Sequence, residues 1–202
     1  MLWSLTMENS WGVDYGKQYA GNTVICRRKG QNYVFEQIKK NIHTDKYILE
    51  KARRENPGCI FIDAPLSLPA VYSCPDIADE NYFYRKCDKE LGAMSPMFLG
   101  GLTARAIKLK NELTSMGIQM LETYPGKLAQ KFQLKDFGYK KSKENIGTCI
   151  KIIRQEPEGN IDVTAVATWH HFDALLCCLS AERYFRGEAE IYGDEKEGVV
   201  VF

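Results

Sequence analysis

Four carboxylic acids stand at the ends of apolar stretches or among apolar residues, where a charge is costly unless it has a use. Asp14 follows Gly12 and Val13, Asp63 ends the run CIFI, and Glu122 follows IQML. Acids placed at the carboxyl edge of a parallel sheet lie where ligands collect. Each also has a simpler interpretation, which is a turn cap for Asp14 and Asp63 and an exposed edge residue for Glu122.

Asp173 lies in the helical stretch HHFDALLCC. At 3.6 residues per turn it shares a face with Trp169, His170, Leu176 and Cys177. An unpaired carboxylate among those side chains is strongly destabilising. We therefore expect Asp173 to meet a cation, a hydrogen-bond donor or water in a cleft. The simpler alternative is a buried hydrogen bond or an ion pair with an arginine.

Together the four acids predict a metal site. Carboxylates that lie close together raise one another's pKa, and Mg²⁺ or Mn²⁺ relieves the repulsion by binding hard oxygen ligands. Two such ions about 3.5–4 Å apart can activate a water and stabilise the leaving oxygen in phosphodiester cleavage. The sequence thus predicts that Asp14, Asp63, Glu122 and Asp173 bind one or two Mg²⁺ or Mn²⁺ ions and act in catalysis.

Strands and helices alternate along the chain and must position these acids. Strands are predicted over residues 11–15, 23–28 and 32–38 as an antiparallel meander, then over 59–62 and 118–125. Helices are predicted over 44–56 with Thr44 as cap, then over 102–116, 126–133, 142–156 and 161–186. A hairpin around GDEKEG closes the chain. This order predicts an α/β fold, with a central mixed sheet (β-β-β-α-β-α-β core) flanked by helices.

An irregular, proline-rich insertion at about 66–101 interrupts this order. A loop of that length is more often functional than idle. Its cations Arg85, Lys86 and Lys89, with Arg105 just beyond, are predicted to bind substrate by holding a phosphate. The alternative is a solvated polar loop.

Further candidates lie in the last third of the chain. Six lysines between 127 and 143 are interleaved with aromatic residues, a combination that suits phosphate contacts and base stacking. Lysines on a helix surface are the alternative. His170 precedes Asp173 by one turn and can move a proton or support a metal ligand. Its alternative is a hydrogen bond to a backbone carbonyl.

The composition indicates a single globular domain. The 202 residues are 45% apolar, and a net charge of +1 means that nucleic-acid binding would need a local basic patch. Seven cysteines without a C-x-x-C pair argue against a zinc or thioredoxin-like site, so we expect reduced thiols and a cytoplasmic location. Neither a signal peptide nor a membrane span is expected. Residues 1–6 add nothing to the first strand, which places one domain at 7–202.

The combination of GVDYG, FIDAP and HHFDALLCCLSA resembles one branch of the ribonuclease-H-like superfamily. That branch is the domain-of-unknown-function family number four-two-nine, whose members are described as predicted nucleases. Further matching pieces are R-x-C-D-x-x-L-G at 85–92, LETYPGKLA, SKEN at 142–145 and the closing EGVVVF, so the resemblance spans about 11–202. It implies a ribonuclease-H-like fold with catalytic acids at Asp14, Asp63 and Asp173. Glu122 fits the strand-end acid of LETYP.

The sequence therefore favours a metal-dependent nuclease whose partner is DNA or RNA, with a small phosphodiester also open. Two alternatives remain. The D-x-G at 14–16 also resembles the phosphate turn of actin-like kinases and ATPases, although a second phosphate loop and a second lobe are not visible. A non-catalytic binding module on the same fold would use the insertion for a partner. Such a module has no physical reason to keep four repelling acids together.

Overall fold

A seven-stranded mixed sheet lies at the centre of the protein. A computed structural model describes residues 9–73 and 81–202. The strands are β1 (Ser10–Asp14), β2 (Val24–Lys29), β3 (Asn32–Gln37), β4 (Cys59–Ile62), β5 (Gln119–Glu122), β6 (Ile191–Asp194) and β7 (Gly198–Val201). They lie in the order β3-β2-β1-β4-β5-β7-β6. Strands β1, β4, β5 and β7 are mutually parallel, whereas β2 runs antiparallel to β1 and β3, and β6 to β7.

Helices cover the sheet, which makes this an α/β protein as predicted. They are α1 (Thr44–Glu55), α2 (Lys86–Leu91), α3 (Pro96–Leu99), α4 (Gly101–Ser115), α5 (Pro125–Lys131), α6 (Ile146–Ile152) and α7 (Trp169–Phe185). One core packs α1 and α4 against Trp11, Val13, Ile60 and Ile62. The other core packs α5, α6 and α7 against β2 and the far end of the sheet. Successive side chains of a strand point to opposite faces, so each strand serves both cores.

Gly12 lets α7 lie directly on β1. A Cβ atom at this position would stand 2.2 Å from the backbone nitrogen of Cys178 and 2.5 Å from the carbonyl oxygen of Ala174. Because those atoms belong to the helix backbone, no rotamer change can relieve the clash. Glycine at position 12 therefore sets the depth at which α7, and with it Asp173, approaches the end of β1.

Several predicted element boundaries are wrong. Helix α7 begins at Trp169 instead of 161, because Thr168 caps it and residues Val163–Ala165 form a separate 3₁₀ turn. The stretch 142–156 is helical only as a 3₁₀ turn at Lys143–Asn145 followed by α6. Strand β5 ends at Glu122, and His43 caps α1 in place of Thr44.

The insertion carries more regular structure than the prolines indicate. Helices α2 and α3 lie within it, and α3 begins with a serine cap and a proline in its first turn. Residues 1–8 and 74–80 lie outside the described part, so the domain start at Met7 does too. The closing hairpin is confirmed as β6 and β7 joined through Glu195, Lys196 and Glu197.

Two further expectations concern the environment of the chain. Within the ranges described, no helix combines the length and apolar character that crossing a membrane requires. The cysteines at 26, 59, 87, 149, 177 and 178 are free thiols, and all six are buried. They pack as small apolar side chains, as expected of reduced cysteines in a core.

Candidate active site at the carboxyl edge of the sheet

Asp14 and Asp63 lie side by side where β1 and β4 end. These strands are parallel, with Val13 opposite Ile62, and the backbone N–H of Asp63 donates to the carbonyl of Val13 at 2.9 Å. Both side chains point to the face covered by α7. Asp14 alternates with Val13, which packs on the α1 and α4 side, and Asp63 has the parity of Phe61, which packs with residues of α7. The two acids therefore share one edge and one face of the sheet.

Asp173 reaches the same place from α7. Its side chain is buried, and one turn later Cys177 contacts the Val13 carbonyl through its sulfur at 3.6 Å. Enclosure by the protein, followed by the charges of Asp14 and Asp173, raises the pKa of Asp63 well above its ordinary value of 3.8. Three acids from β1, β4 and α7 thus lie within electrostatic reach of one another.

Asp173 is paired on both oxygens. Tyr139 donates its hydroxyl to one oxygen at 2.5 Å, and the ammonium of Lys140 lies 2.6 Å from the other. Burial raises the pKa of Asp173, and Lys140 opposes this shift. Burial alone would lower the pKa of Lys140, but the charges of Asp173, Asp63 and Asp14 raise it. The acid cluster therefore stabilises the charged form of Lys140.

Asp14 accepts a hydrogen bond from His170. The distance from the His170 Nδ1 to the Asp14 Oδ2 is 2.7 Å, and nearly half of the imidazole is exposed. This hydrogen bond raises the pKa of His170 above its ordinary value. The partner of His170 is thus a carboxylate of the cluster instead of the backbone carbonyl that was the alternative. With Nδ1 engaged, Nε2 is the nitrogen left to exchange a proton.

Asp63 differs from Asp14 and Asp173 because no residue in the described part of the chain pairs with its carboxylate. Across residues 9–73 and 81–202, no group donates a hydrogen bond to either of its oxygens. The side chain is partly exposed, so water or a ligand can reach it. Asp63 is therefore the open member of the cluster.

Glu122 belongs to a different arrangement. It shares a strand face with Met120, which packs in the α1/α4 core, so it points away from the α7 face on which Asp63 lies. Both of its oxygens accept hydrogen bonds from Arg85 at 2.7 Å, and the backbone N–H of Leu66 adds a third at 2.9 Å. The structure gives Glu122 the geometry of a buried ion pair.

The four predicted substrate-binding cations are not alike. Arg85 is 1% exposed, and Asp88, Glu122 and Ser67 take up its donors. Arg105 binds Asp45 with two nitrogens and the carbonyl of Gly16 with the third, stacked 4.7 Å from Tyr15. In these positions both arginines hold the scaffold.

Lys86 and Lys89 lie on α2 and are exposed. The ammonium of Lys86 lies 3.9 Å from Glu90, a distance that leaves it free to reorient. These two lysines remain predicted substrate contacts.

The acid cluster offers the chemistry that Mg²⁺ or Mn²⁺ prefers, but its oxygens are not arranged as ligands. Asp14, Asp63 and Asp173 supply hard oxygen donors, and the carboxylate of Asp63 is unpaired among the residues that the structure describes. No set of three or more His, Cys, Asp and Glu side chains in the described ranges could hold a metal ion as placed. Because Tyr139 and Lys140 occupy both oxygens of Asp173, a divalent ion would use this acid only if the Lys140 contact opens, whereas His170 takes up one oxygen of Asp14.

A pocket adjoins Asp63. It has a volume of about 200 Å³ and lies between the ends of β4 and β5 and the insertion. Leu91, Met94 and Leu99 contribute apolar walls, and Tyr124 closes one side. Asp63 and Tyr124 both line the pocket, and burial and the charge of Asp63 raise the pKa of Tyr124.

Sequence reasoning missed three residues of this site. Lys140 was one of six interleaved lysines, and its backbone φ of 60° shows the local turn that aims it at Asp173. Tyr139 was named only as an aromatic neighbour of those lysines. Thr123 is a buried residue that lines the pocket, and it directly follows Glu122, which was the candidate at this place in the sequence. None of the three has a motif or spacing that marks it.

Comparison of the chain with protein-family profiles, with curated proteins and with solved structures finds no match. The ribonuclease-H-like resemblance therefore stays a prediction.

Proposed function

We propose that the protein is a metal-dependent phosphodiesterase that hydrolyses nucleic acid at the Asp14–Asp63–Asp173 cluster. The observation that carries this proposal is Asp63, a partly exposed carboxylate with a raised pKa, which lacks a hydrogen-bond donor among the described residues and lies within electrostatic reach of two other carboxylates. Such an arrangement is costly to the fold and is typical of a site that takes a cation or a proton. Asp14, Asp63 and Asp173 would hold Mg²⁺ or Mn²⁺.

A bound Mg²⁺ or Mn²⁺ ion supplies charge neutralisation, polarisation of the phosphoryl oxygen and a lowered pKa for an attacking water. The protein's own side chains do the rest. Lys140 is half-exposed and can move from Asp173 to a phosphate oxygen of the substrate. His170, held by Asp14 through Nδ1, can donate a proton from Nε2 to the leaving oxygen.

The architecture is compatible with a ribonuclease-H-like fold. A meander of three strands precedes the parallel part of the sheet, and the acids lie at its carboxyl edge next to the last helix. The motifs GVDYG, FIDAP and HHFDALLCCLSA carry the resemblance, and the acids in them are the three that the structure brings together. We extend the proposal to a nucleic-acid partner in the cytoplasm on that basis.

Cleavage of a panel of substrates tests the proposal. Single-stranded and duplex DNA and RNA, and a small chromogenic phosphodiester, are incubated with Mg²⁺, with Mn²⁺ and with a chelator. We expect cleavage that depends on the ion and that falls about 10²–10³-fold in Asp63→Asn, the size seen for loss of one group that stabilises developing charge. Asn111→Asp, an exposed change on α4, is the control and should leave the rate unchanged.

The outcome that contradicts the proposal is equal activity of wild type and Asp63→Asn, or cleavage of no phosphodiester with either ion. Far-UV circular dichroism and thermal unfolding of each variant show whether its fold is intact. If Asp63→Asn loses its fold, the comparison is made with Asp63→Glu instead. That variant keeps the negative charge but shifts its position.

A non-catalytic binding module is the second candidate, because Lys140 and His170 already engage two of the three acids. In that case the lysine ammonium is the permanent partner of the cluster and no divalent ion enters. The same panel separates the two functions, since a module of this kind binds without ion-dependent cleavage.

A further inference from the structure

Three large apolar side chains are exposed together in the insertion. Phe83, Met94 and Phe98 are 54%, 61% and 62% exposed, and we call these three residues the insertion patch. The rings of Phe83 and Phe98 lie 5.8 Å apart. The hydroxyl of Ser95, which caps α3, also donates to the Phe83 carbonyl and so joins the two segments that carry the patch. Exposed apolar side chains that are held together in this way indicate a binding surface.

The insertion patch adjoins the acid cluster at Asp63. Met94 belongs both to the patch and to the wall of the pocket beside Asp63. Leu99, which follows Phe98 in α3, lines the same pocket. A molecule that lies on the patch can therefore continue to Asp63.

A second surface adjoins the acid cluster at Asp173. Residues 133–143, which we call the lysine loop, begin as overlapping turns in which Leu134 and Tyr139 are buried. The exposed side of the loop carries four lysines, at positions 135, 140, 141 and 143. Lys140 is the lysine that binds Asp173. Among the residues that the structure describes, no carboxylate forms an ion pair with the other three.

The two surfaces together favour one kind of partner. Lysines without acidic partners attract phosphates, exposed aromatic rings stack on bases, and the combination is typical of proteins that bind single-stranded nucleic acid. The bases of a duplex stack on one another and are closed to rings on a protein surface. A second copy of this chain would need no group of unpaired lysines beside the cluster. An anionic membrane would be repelled by the acids that both surfaces adjoin.

We propose that the protein binds single-stranded nucleic acid across the acid cluster, with bases stacked on the insertion patch and phosphates held by the lysine loop. The inference rests on the proposed function, because Asp63 and Asp173 are the acids that adjoin the two surfaces. The phosphate between the stacked bases and the lysine contacts is then the one that lies at the acids. The substrate class is a single strand.

Equilibrium binding tests this proposal separately from catalysis. Fluorescence anisotropy compares a labelled single strand of thymidines with the same strand lacking its bases and with a duplex. Ca²⁺ is present, because it binds carboxylates without the strict octahedral geometry of Mg²⁺. In the patch, the double variant Phe83→Leu/Phe98→Leu keeps apolar side chains and removes the rings. Phe83→Tyr/Phe98→Tyr keeps the rings and is its matched control.

A second pair of variants tests the lysine loop. The loop variant removes three charges and leaves Lys140 in place, and it carries Lys135→Gln, Lys141→Gln and Lys143→Gln. Its matched control removes three exposed cations at the amino edge of the parallel strands, and it carries Lys29→Gln, Arg53→Gln and Arg54→Gln.

We expect wild type to bind the intact single strand more tightly than the baseless strand and the duplex. The leucine variant should bind the intact strand about tenfold more weakly, as for one lost base–ring stack, and the baseless strand as wild type does. The tyrosine variant should match wild type.

The loop variant should weaken binding of both single strands, because both keep their phosphates. The slope of log K against log salt concentration should fall in magnitude by about 2, as for three lost phosphate contacts on a single strand. The amino-edge control should leave that slope nearly unchanged.

Several outcomes would overturn the proposal. Equal binding of the intact and baseless strands, or a leucine variant that binds as wild type does, removes the base-stacking role of the patch. If wild type is then a dimer in sedimentation, the patch belongs to a second copy of the chain. A loop variant that loses no more affinity than the amino-edge control removes the phosphate contacts, and binding of anionic phospholipid vesicles in place of strands assigns the loop to a membrane surface.

The nuclease panel decides the proposed function independently. If strands bind as expected but none is cleaved with Mg²⁺ or Mn²⁺, the phosphodiesterase proposal fails and the single-strand surface stands. Ion-dependent cleavage without base-dependent binding gives the reverse result.

Discussion

Two groups of carboxylates lie at the same edge of the sheet, and their negative charges are compensated in opposite ways. Glu122 and Asp88 are buried and share one arginine, Arg85, which has no exposed donor to spare. Asp14 and Asp173 are paired with a partly exposed histidine and a partly exposed lysine, and no described residue donates a hydrogen bond to Asp63. The first group is closed to solvent, and the second is open to it.

This difference in solvent access and pairing indicates that the first group stabilises the fold and the second serves the function. A buried bidentate arginine pair fixes its surroundings, and it joins the insertion at α2 to the end of β5. The open cluster contains two acids with raised pKa, Asp63 and Asp173, which destabilise the fold unless something binds there. Acids of the same type, at similar positions on neighbouring strands, therefore have different roles because they point to opposite faces of the sheet.

The largest effect should come from breaking the closed group. Arg85→Met leaves Glu122 and Asp88 buried without a cation, so we expect the free energy of unfolding to fall by about 3–5 kcal/mol. Denaturant unfolding measures it. Lys89→Met, on the exposed side of the same helix, should change stability by less than about 0.5 kcal/mol. Equal stability of the two variants would contradict a structural role for Arg85.

Removing a charge from the open group should instead raise the stability of the protein. The folded state raises the pKa of Asp63 above 3.8, so it holds the proton more tightly than the unfolded state does. This contribution to stability is complete below about pH 3.8 and is lost as the pH rises through the folded-state pKa. Asp63→Asn cannot lose a proton, and at neutral pH it should be more stable than wild type by on the order of 1 kcal/mol, or about 2–4 °C in Tm.

Thermal unfolding of wild type and Asp63→Asn from pH 3.5 to pH 8 measures this difference. The gap between the two Tm values should widen as the pH rises. A variant that is less stable than wild type at neutral pH would mean that the Asp63 carboxylate supports the fold, as Glu122 does.

A smaller effect should come from the lysine that the open group holds. If Lys140 competes with a divalent ion for Asp173, then Lys140→Met should tighten Mn²⁺ binding about three- to tenfold, or roughly 1 kcal/mol. Lys141→Met removes an exposed neighbouring charge and should leave the Mn²⁺ affinity nearly unchanged. Weaker Mn²⁺ binding in Lys140→Met would show that the lysine assists the site instead of competing for it.

The acids at the strand ends and the acid at a buried helix position could be predicted from the sequence, and these are the three acids of the cluster. Apolar runs that end in an acid identify Asp14 and Asp63, and the helical spacing around Asp173 identifies a carboxylate that needs a partner. The same reasoning included Glu122, although alternation along β5 already places Glu122 with Met120. What the sequence lacks is the register that tells which face of β5 matches which face of β4.

The partners of the acids were beyond sequence reasoning for the same kind of reason. Arg85 meets Glu122 across 37 positions and Lys140 meets Asp173 across 33, and only the folded path of the insertion and of the loop after α5 brings them together. Local patterns report on periodicity and turns, whereas these ion pairs depend on how separate elements dock. For Arg85 the charged loop context favoured an exposed cation, and the structure buries it.

Calorimetric titration of the purified protein with Mn²⁺ at neutral pH is the most direct test of the open acid cluster. The account predicts that wild type binds Mn²⁺ at Asp14, Asp63 and Asp173, that a chelator reverses the binding, and that Asp63→Asn abolishes it with the fold intact. Absence of Mn²⁺ binding by wild type, or equal binding by Asp63→Asn, would contradict the account and leave Lys140 as the permanent partner of Asp173.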